Sequence, residues 1–155
     1  DNQELEARKD VFCYTSEIFD ADLVLMGEPE LILFVQSSNA HTDFFGRICD
    51  VYPDGRSINV TDGLVRIHPG DVEPQADGTL KITIKLWPTA HAFVRGNRLR
   101  LQVSSGAHPR WGRNLGTGED PLESAELVVA NQSLFHDVMH KSHLKVPTYQ
   151  AIEVD

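Results

Sequence analysis

The sequence of 155 residues lacks the marks of several large classes of protein. Two cysteines are too few for a disulfide scaffold, and no apolar stretch reaches the ~18 residues with which a helix spans a membrane. Lys and Arg number 14 against 23 Asp and Glu, a formal charge of −9 that argues against nucleic acid as a partner. Hydrophobic residues make up 41% of the chain, so we expect an ordinary globular core and no membrane partner.

The start of the chain and its cysteines give the only indications of origin and compartment. The chain begins Asp1-Asn2-Gln3, without Met and without a basic-then-apolar leader, which we interpret as the start of a fragment or a processed chain. Cys13 and Cys49 each lie in a short apolar run. Such thiols are typical of small buried residues in a reducing compartment, and they favour a cytoplasmic location.

Helical periodicity is lacking as well, and short β-type runs dominate. In Thr79–Leu86 the apolar residues fall on one face and Thr and Lys on the other, as in a strand with one buried side. The many short runs predict an all-β jelly-roll sandwich, a single domain over 11–155 after a polar lead-in over 1–10. The predicted strands are 11–15, 22–26, 31–37, 43–52, 56–60, 64–67, 79–86, 98–105, 124–130, 134–139 and 144–147.

Turn residues punctuate this pattern. Asp54-Gly55, Asp62-Gly63 and Asp77-Gly78 are each predicted to be turns, because Gly tolerates positive φ and Asp bonds its local backbone. The first is expected to close a hairpin. The segment 4–10 is too polar to be expected to contribute much to the fold.

No catalytic residue, cofactor site or metal site can be assigned from the residues. Ser104-Ser105-Gly106 has Val103 where a nucleophile elbow needs Gly. His136 and His140 would share one face of a helix and could bind a metal there, but their segment alternates like a strand. Structural hydrogen bonds to loop carbonyls are the favoured role for these histidines and for His143.

One long loop is the candidate functional segment. Residues 106–123 exceed most structureless connections and carry Trp111, Arg110 and Arg113, types that favour buried contacts at interfaces. Packing on its own sandwich and docking on a partner remain open alternatives. Apolar residues outside this loop are added to the predicted interface. Strand alternation allows at most one of Phe44 and Phe45 into the core. The predicted interface residues are Phe44, Trp87, Phe93, Arg110, Trp111, Arg113 and Asn114.

Three groups of residues, in order along the chain, resemble one known family. They are Asp50-Val51-Tyr52-Pro53-Asp54-Gly55-Arg56 followed by Asp62-Gly63; Leu86-Trp87-Pro88-Thr89 with Gly96-x-Arg98 and Arg113-Asn114-x-x-Thr117-Gly118; and Ser142-His143-Leu144. From about Val11 to Pro147 the chain resembles the C-terminal domain of X-Pro dipeptidyl-peptidases and cocaine-esterase-like (CocE/NonD) serine hydrolases. It departs from the family at Gly106-Ala107-His108 and at Lys141.

The resemblance implies a galactose-binding-like jelly roll and a partner. In this family such a domain follows an α/β-hydrolase domain that holds the Ser, Asp and His triad, and none of these maps onto this chain. The chain would then be a non-catalytic accessory domain that packs on the catalytic domain, stabilises it and forms one side of its substrate cleft. The parent would hydrolyse acyl esters, amides or X-Pro peptides. No cofactor is implied, and a homo-oligomer is left open.

A carbohydrate-binding sandwich is the alternative function. Trp87, Trp111 and Tyr52 could stack on sugar rings, with acidic side chains holding hydroxyls. The aromatic residues, 8% of the chain, form no evident strip.

Overall fold

A computed structural model describes residues 1–149, and the end of the predicted domain, residues 150–155, lies outside the described residues. A single turn of helix precedes eleven strands within this range. The elements are α1 (Gln3–Glu6), β1 (Val11–Thr15), β2 (Leu23–Gly27), β3 (Glu30–Ser37), β4 (Thr42–Val51), β5 (Ser57–Ile67), β6 (Leu80–Lys85), β7 (Thr89–Phe93), β8 (Arg98–Ser104), β9 (Gln132–Phe135), β10 (His143–Lys145) and β11 (Thr148–Tyr149). No helix among residues 1–149 is long and apolar enough to cross a membrane.

The strands pair antiparallel and form two layers around one core. One layer is the sheet β1-β8-β4-β5. The other consists of β10-β3-β6, in which β9 also pairs with β3, and of β11-β2-β7. Buried apolar residues from both layers meet between them. The predicted all-β sandwich is confirmed, and the jelly-roll and galactose-binding-like assignment stays a prediction.

Alternation within the strands places the core where the sequence predicted it. In β6, Ile82 and Ile84 are buried, whereas Lys81, Thr83 and Lys85 are exposed. Burying aliphatic side chains of this size stabilises the fold by roughly 1.5–3 kcal/mol each. The same pattern aligns Leu101 and Val103 of β8 with the core.

Strand β4 departs from simple alternation because every one of its residues is buried. Phe44 belongs to the core cluster, as one of the two adjacent phenylalanines was expected to. Phe45 points to the outer face and is nevertheless only 2% exposed. The outer face of this sheet is therefore covered by other parts of the chain.

The expected turn at Asp62-Gly63 is wrong, since both residues lie inside the continuous strand β5. A Cβ atom at position 63 would lie 2.3 Å from the carbonyl oxygen of Lys85. Glycine is required here because the backbone at the end of β6 crosses β5 closely, and not because the chain reverses. The predicted strands 56–60 and 64–67 are thus one strand. Asp54-Gly55 and Asp77-Gly78 do lie in turns, with positive φ at each glycine.

Two further strand predictions need correction, and two short strands, β7 and β11, were not predicted. Residues 124–130 form no strand, although the sequence there is rich in Leu and Val. The strand expected over 134–139 is Gln132–Phe135 and ends before His136. Strand β7 was not predicted, because Thr89–Phe93 is short and its alternating Ala and His residues resemble a loop. It forms because it pairs with β2 along its full length.

Replacing Gly63 by Ala should destabilise the domain strongly. The added methyl group would overlap backbone that cannot move aside, and such overpacking typically costs about 1–3 kcal/mol or more. Urea unfolding followed by circular dichroism measures the change. Gly106→Ala is the matched control, because a Cβ there meets nothing within 4 Å. Equal stability of the two variants would contradict the close crossing.

Candidate interaction surface

The outer face of the sheet β1-β8-β4-β5 carries a buried polar cluster. Strand β4 presents Asp43, Arg47 and Cys49 on this face, and each is less than a tenth exposed. The N-terminal segment covers one part of it. Asn2 accepts a hydrogen bond from Arg47 Nη1 at 3.2 Å, and its amide donates to the Ser57 carbonyl at 3.0 Å. The polar lead-in is therefore part of the packed structure and not an inert extension.

Glu6 extends this cover over β8. Its carboxylate accepts hydrogen bonds from Ser57 Oγ, from Gln102 Nε2 at 2.6 Å and from Arg100 Nη1 at 2.5 Å. The Glu6 side chain is 7% exposed, so these charge-assisted bonds offset the cost of its burial. The short helix α1 is held in place by polar contacts, which hydrophobic patterning could not predict.

The long loop covers the other part of the face. Asp62 on β5 is buried and accepts from Arg110 Nε at 2.9 Å. Asp43 accepts from the Arg66 guanidinium at 2.9 and 2.8 Å and from Asn114 Nδ2 at 2.6 Å. The hydrogen bonds to Asp43 raise the pKa of Arg66. Two buried carboxylates thus fix both ends of the segment 110–114 on the sandwich.

Four of the seven predicted interface residues line one cavity in this surface. Arg110, Trp111, Arg113 and Asn114 surround a space of about 550 Å³ together with Phe45 and Arg47. We call this space the outer cavity. The indole of Trp111 is partly buried there, and Arg113 is exposed.

The other three predicted residues lie elsewhere. Trp87 is 61% exposed, and its backbone N–H donates to the carbonyl of Asp62, the residue whose side chain binds Arg110. Phe44 and Phe93 are 2% and 0% exposed in the core between the layers. This burial corrects their prediction as contact residues, because neither side chain reaches the surface.

Three buried polar side-chain atoms have no hydrogen-bond partner within residues 1–149. They are Arg47 Nε, Gln102 Oε1 and Trp111 Nε1. Arg47 and Gln102 are directly opposite each other on β4 and β8. Unpaired buried groups of this kind are uncommon in folded proteins, because each loses its hydration without compensation.

The loop is longer than the sequence suggested and only partly packs on its own sandwich. Since no strand forms over 124–130, the excursion runs from Ser105 to Asn131. The Val128 N–H donates to the Leu115 carbonyl at 2.9 Å, which holds the middle of the loop together. Leu122 and Val129 remain 92% and 81% exposed. Packing of the loop on its own sandwich is therefore realised in one part of it, and docking of the loop on a partner stays a prediction.

The three aromatic residues considered for sugar binding do not form one platform. Trp87 and Trp111 line different cavities. The guanidinium of Arg56 lies 4.8 Å above the ring of Tyr52 and covers that face. The arrangement therefore offers no observation in favour of the carbohydrate-binding alternative.

The histidines at the end of the chain make contacts of two kinds. His143 Nδ1 lies 2.7 Å from the carbonyl of Lys141, the type of contact expected from the sequence. His140 instead bridges two carboxylates, with Nε2 2.7 Å from Asp77 and Nδ1 3.0 Å from Asp137. The contact with Asp77 was not foreseen, because Asp77 is distant in the sequence. No three His, Cys, Asp or Glu side chains of residues 1–149 form a set suited to a metal ion.

The His140 bridge shifts the pKa values of its members. The hydrogen bond that the His140 ring donates to Asp137, reinforced by the one to Asp77, raises the pKa of His140. Hydrogen bonds from the backbone and side chain of Thr79, with His140, lower the pKa of Asp77 to about 2. Both ring nitrogens face carboxylate acceptors, and both can donate only when the ring is protonated, so this arrangement favours the imidazolium form. The bridge ties the loop 136–142 to the turn before β6.

The two cysteines differ in environment and are both free. Cys49 is buried beneath Asn2 and Gln102, and burial raises the pKa of its thiol to about 11. Cys13 on β1 is exposed, which corrects the expectation that both thiols are buried. Its apolar neighbours in sequence misled the prediction because β1 is an edge strand.

Comparison with known proteins assigns this sandwich to a class. Its fold is that of domains found in larger hydrolases. An aminopeptidase from a marine sediment Thaumarchaeota archaeon matches with a TM-score of 0.82 at 23% identity, over 97% of this chain and 27% of that one. An α-amino acid ester hydrolase matches with a TM-score of 0.78 at 21% identity, over 96% and 27% of the two chains.

Sequence comparison then identifies the family. The model of the X-Pro dipeptidyl-peptidase C-terminal non-catalytic domain matches residues 2–145. Cocaine esterase from Rhodococcus sp. (strain MB1 Bresler) is 33% identical over 95% of this chain. The chain belongs to the X-Pro dipeptidyl-peptidase C-terminal domain family, and the predicted resemblance is confirmed. It spans 27% of the length of that esterase.

Titration of His140 should show the bridge. Because its pKa is raised, the bridge stabilises the fold fully below the ordinary histidine pKa, and this contribution is lost as the pH rises through the raised value. Asp77 and Asp137 have lowered pKa values, so their hydrogen bonds stabilise the fold at pH values above the usual aspartate pKa. This stabilisation is lost as the pH falls through the lowered pKa, which is about 2 for Asp77. NMR titration should therefore place the pKa of His140 above that of a free histidine.

Asp137→Asn should lower the pKa of His140 towards the ordinary value. Asp71→Asn, which removes the partner of His68, should leave it unchanged and serves as the control. A His140 that titrates at or below the ordinary value in the unmodified chain would show that the bridge does not form in solution.

The two thiols should react at very different rates. With iodoacetamide near neutral pH, we expect the folded chain to gain one label, on Cys13, because the thiolate form of Cys49 is scarce and shielded. Mass spectrometry counts the labels, and denaturant should expose the second site. In the Cys13→Ser variant the folded chain should remain unlabelled. Rapid labelling of that variant would mean that the N-terminal cover over Cys49 opens readily.

Proposed function

We propose that this chain is the accessory domain of a serine hydrolase. It packs on the catalytic α/β-hydrolase domain, stabilises it and forms one wall of the substrate cleft. The observation that carries the proposal is the excursion from Ser105 to Asn131. This loop is fixed to the sandwich by a hydrogen bond from Asn114 to buried Asp43 and by an ion pair of Arg110 with buried Asp62. It nevertheless leaves Leu122 and Val129 almost fully exposed.

A fixed loop with exposed apolar side chains is suited to docking. Large apolar residues that are scattered singly are ordinary on protein surfaces, but clusters of them mark interaction sites. Leu122, Leu127 and Val129 all lie in this loop and are more than half exposed. Leu127 also lines the outer cavity, together with Trp111 and Arg113. The loop thus carries both exposed apolar side chains and polar ones, a mixture that is common at interfaces between domains.

The proposed parent acts on acyl compounds. The names of the matched proteins, a cocaine esterase and an α-amino acid ester hydrolase, support ester hydrolysis, and the family name supports peptides that contain proline. The triad belongs to the proposed catalytic domain. This chain would act on catalysis only through the stability of that domain and the shape of its cleft.

Association with a separately produced catalytic domain tests the proposal. We expect the two to co-elute in gel filtration and the catalytic domain to melt at a higher temperature in the mixture, because contact buries apolar surface on both sides. The double variant Leu122→Asp, Val129→Asp should weaken binding tenfold or more. Isothermal titration calorimetry gives the affinities.

Met26→Asp is the matched control for this experiment. Met26 is 51% exposed on β2 of the opposite layer, so the same kind of substitution there should leave association unchanged. Separate elution of the unmodified partners with unchanged melting temperatures would contradict the proposed function.

A further inference from the structure

The strand β1 forms an unprotected edge of the sandwich. Among residues 1–149 it pairs only with β8, and it stands at the end of the sheet β1-β8-β4-β5. Four of its five residues are exposed. Its sequence, Val-Phe-Cys-Tyr-Thr, has neither a charged residue nor proline, and no bulge interrupts its register with β8. Edge strands usually carry one of these protections, because a bare edge tends to pair with a further strand.

Two aromatic side chains of β1 face the space between the layers and are nevertheless exposed. Phe12 lies opposite Val103 and Tyr14 opposite Leu101. Opposite residues point to the same side of a sheet, and both of these β8 residues belong to the core. Phe12 and Tyr14 are 47% and 37% exposed all the same. The sandwich is therefore open along β1, where a closed one would bury these rings.

A groove follows this open side of the sandwich. Two cavities of about 440 and 260 Å³ lie along it and share Val103 and Leu134 as lining residues. Tyr14 lines the larger cavity and Phe12 the smaller one, so together the cavities extend along β1. We call them the edge groove. None of the described Asp, Glu, Lys or Arg residues lines the larger cavity, which suits it to apolar side chains.

The backbone of β1 offers hydrogen bonds along the same edge. The Ser16 N–H donates to the Leu99 carbonyl at 2.9 Å, which continues the register of β1 with β8. In an antiparallel pair, alternate residues direct both of their backbone groups to the same neighbour. Ser16 thus bonds to β8, whereas Cys13 and Thr15 direct their N–H and C=O groups away from it. These groups at the free edge match the hydrogen-bonding pattern of one further strand.

The groove adjoins the loop by which we propose that the domain docks. Its smaller cavity is lined by Ser105 and Asn131, the first and last residues of that excursion. Asp10, Ser104 and Ser105 line this cavity and the outer cavity alike. A catalytic domain that docks on the loop therefore lies beside β1, so it is the nearest source of a further strand.

We propose, resting on the proposed function, that β1 receives an extended segment of the catalytic domain as a further strand. The backbone of this segment bonds to Cys13 and Thr15, and its alternate side chains enter the edge groove. An extended segment fits because its N–H and C=O groups are free to pair, whereas those of a helix bond within the helix. The side chains that enter the groove are apolar, because covering Phe12 and Tyr14 with them removes apolar surface from water.

Hydrogen exchange of the β1 amides tests the proposal directly. In the isolated chain we expect the Cys13 and Thr15 amides to exchange rapidly, because they point to solvent. In the complex with the separately produced catalytic domain they should exchange at least tenfold more slowly, since they then donate to the added strand. NMR resolves the individual amides. The amides at the free edge of β7, an edge strand of another sheet, should exchange alike in both states and serve as the control.

Proline at the free edge should block the added strand. Cys13→Pro removes the outward N–H, and an edge strand tolerates proline at such a position. We expect this variant to bind the catalytic domain tenfold or more weakly in calorimetry. Cys13→Ser keeps the N–H and should bind as the unmodified chain does. The melting temperature of each isolated variant checks that it is folded.

A charge in the edge groove should have a similar effect. Tyr14→Asp places a carboxylate there and should weaken association tenfold or more. Tyr149→Asp is the matched control, because Tyr149 is 53% exposed on β11, outside the groove, and should leave association unchanged. Equal binding by these two variants would overturn the placement of apolar side chains in the groove.

The outcomes distinguish the two proposals. If the chain binds while the Cys13 and Thr15 amides exchange as fast as in the isolated chain, strand addition is overturned and the accessory function stands. Protection of these amides already in the isolated chain, together with elution as a dimer, would also overturn it, since a second copy would then cover β1. If the unmodified chain does not bind at all, the accessory function fails and strand addition fails with it.

Discussion

Burial of strand β4 on both faces is the constraint on which the rest of the structure depends. One face contributes Phe44 and Ile48 to the core and needs only apolar neighbours. The other face contains Asp43, Arg47 and Cys49, which need hydrogen-bond partners once water is removed. The chain provides these partners from its first residues, from β5 and β8, and from the long loop. Each of these segments is positioned by hydrogen bonds to the buried polar side chains of β4.

The cover on this face is polar, and its energetics differ from those of the core. Removing one member leaves another charge buried without a partner, which costs more than the pair itself contributes. The contacts of Asn2 and Glu6 therefore act as specificity devices that hold α1 in one position. The same logic applies to Asp62 and Arg110, and it explains how a loop without regular structure is kept in a defined place.

The function proposed for the domain follows from the incompleteness of this cover. The loop satisfies Asp43 and Asp62 but leaves Leu122 exposed, and the buried indole N–H of Trp111 has no partner among residues 1–149. The chain spans 27% of the length of the cocaine esterase that it matches, and in our proposal this face docks on a catalytic domain. The face over β4 has the required combination of rigidity, exposed apolar groups and unmet hydrogen bonding.

Local pattern in the sequence determined the fold class, the core faces of β6 and β8, and the family, because alternation and short motifs depend only on neighbouring residues. It could not show that Gly63 lies within a strand, that Phe93 is in the core, or that His140 meets Asp77. These features depend on which distant backbones approach each other. Only the tertiary structure decided which polar residues share the buried face of β4, since partners such as Asn2 and Arg47 come together through packing, far apart in the chain.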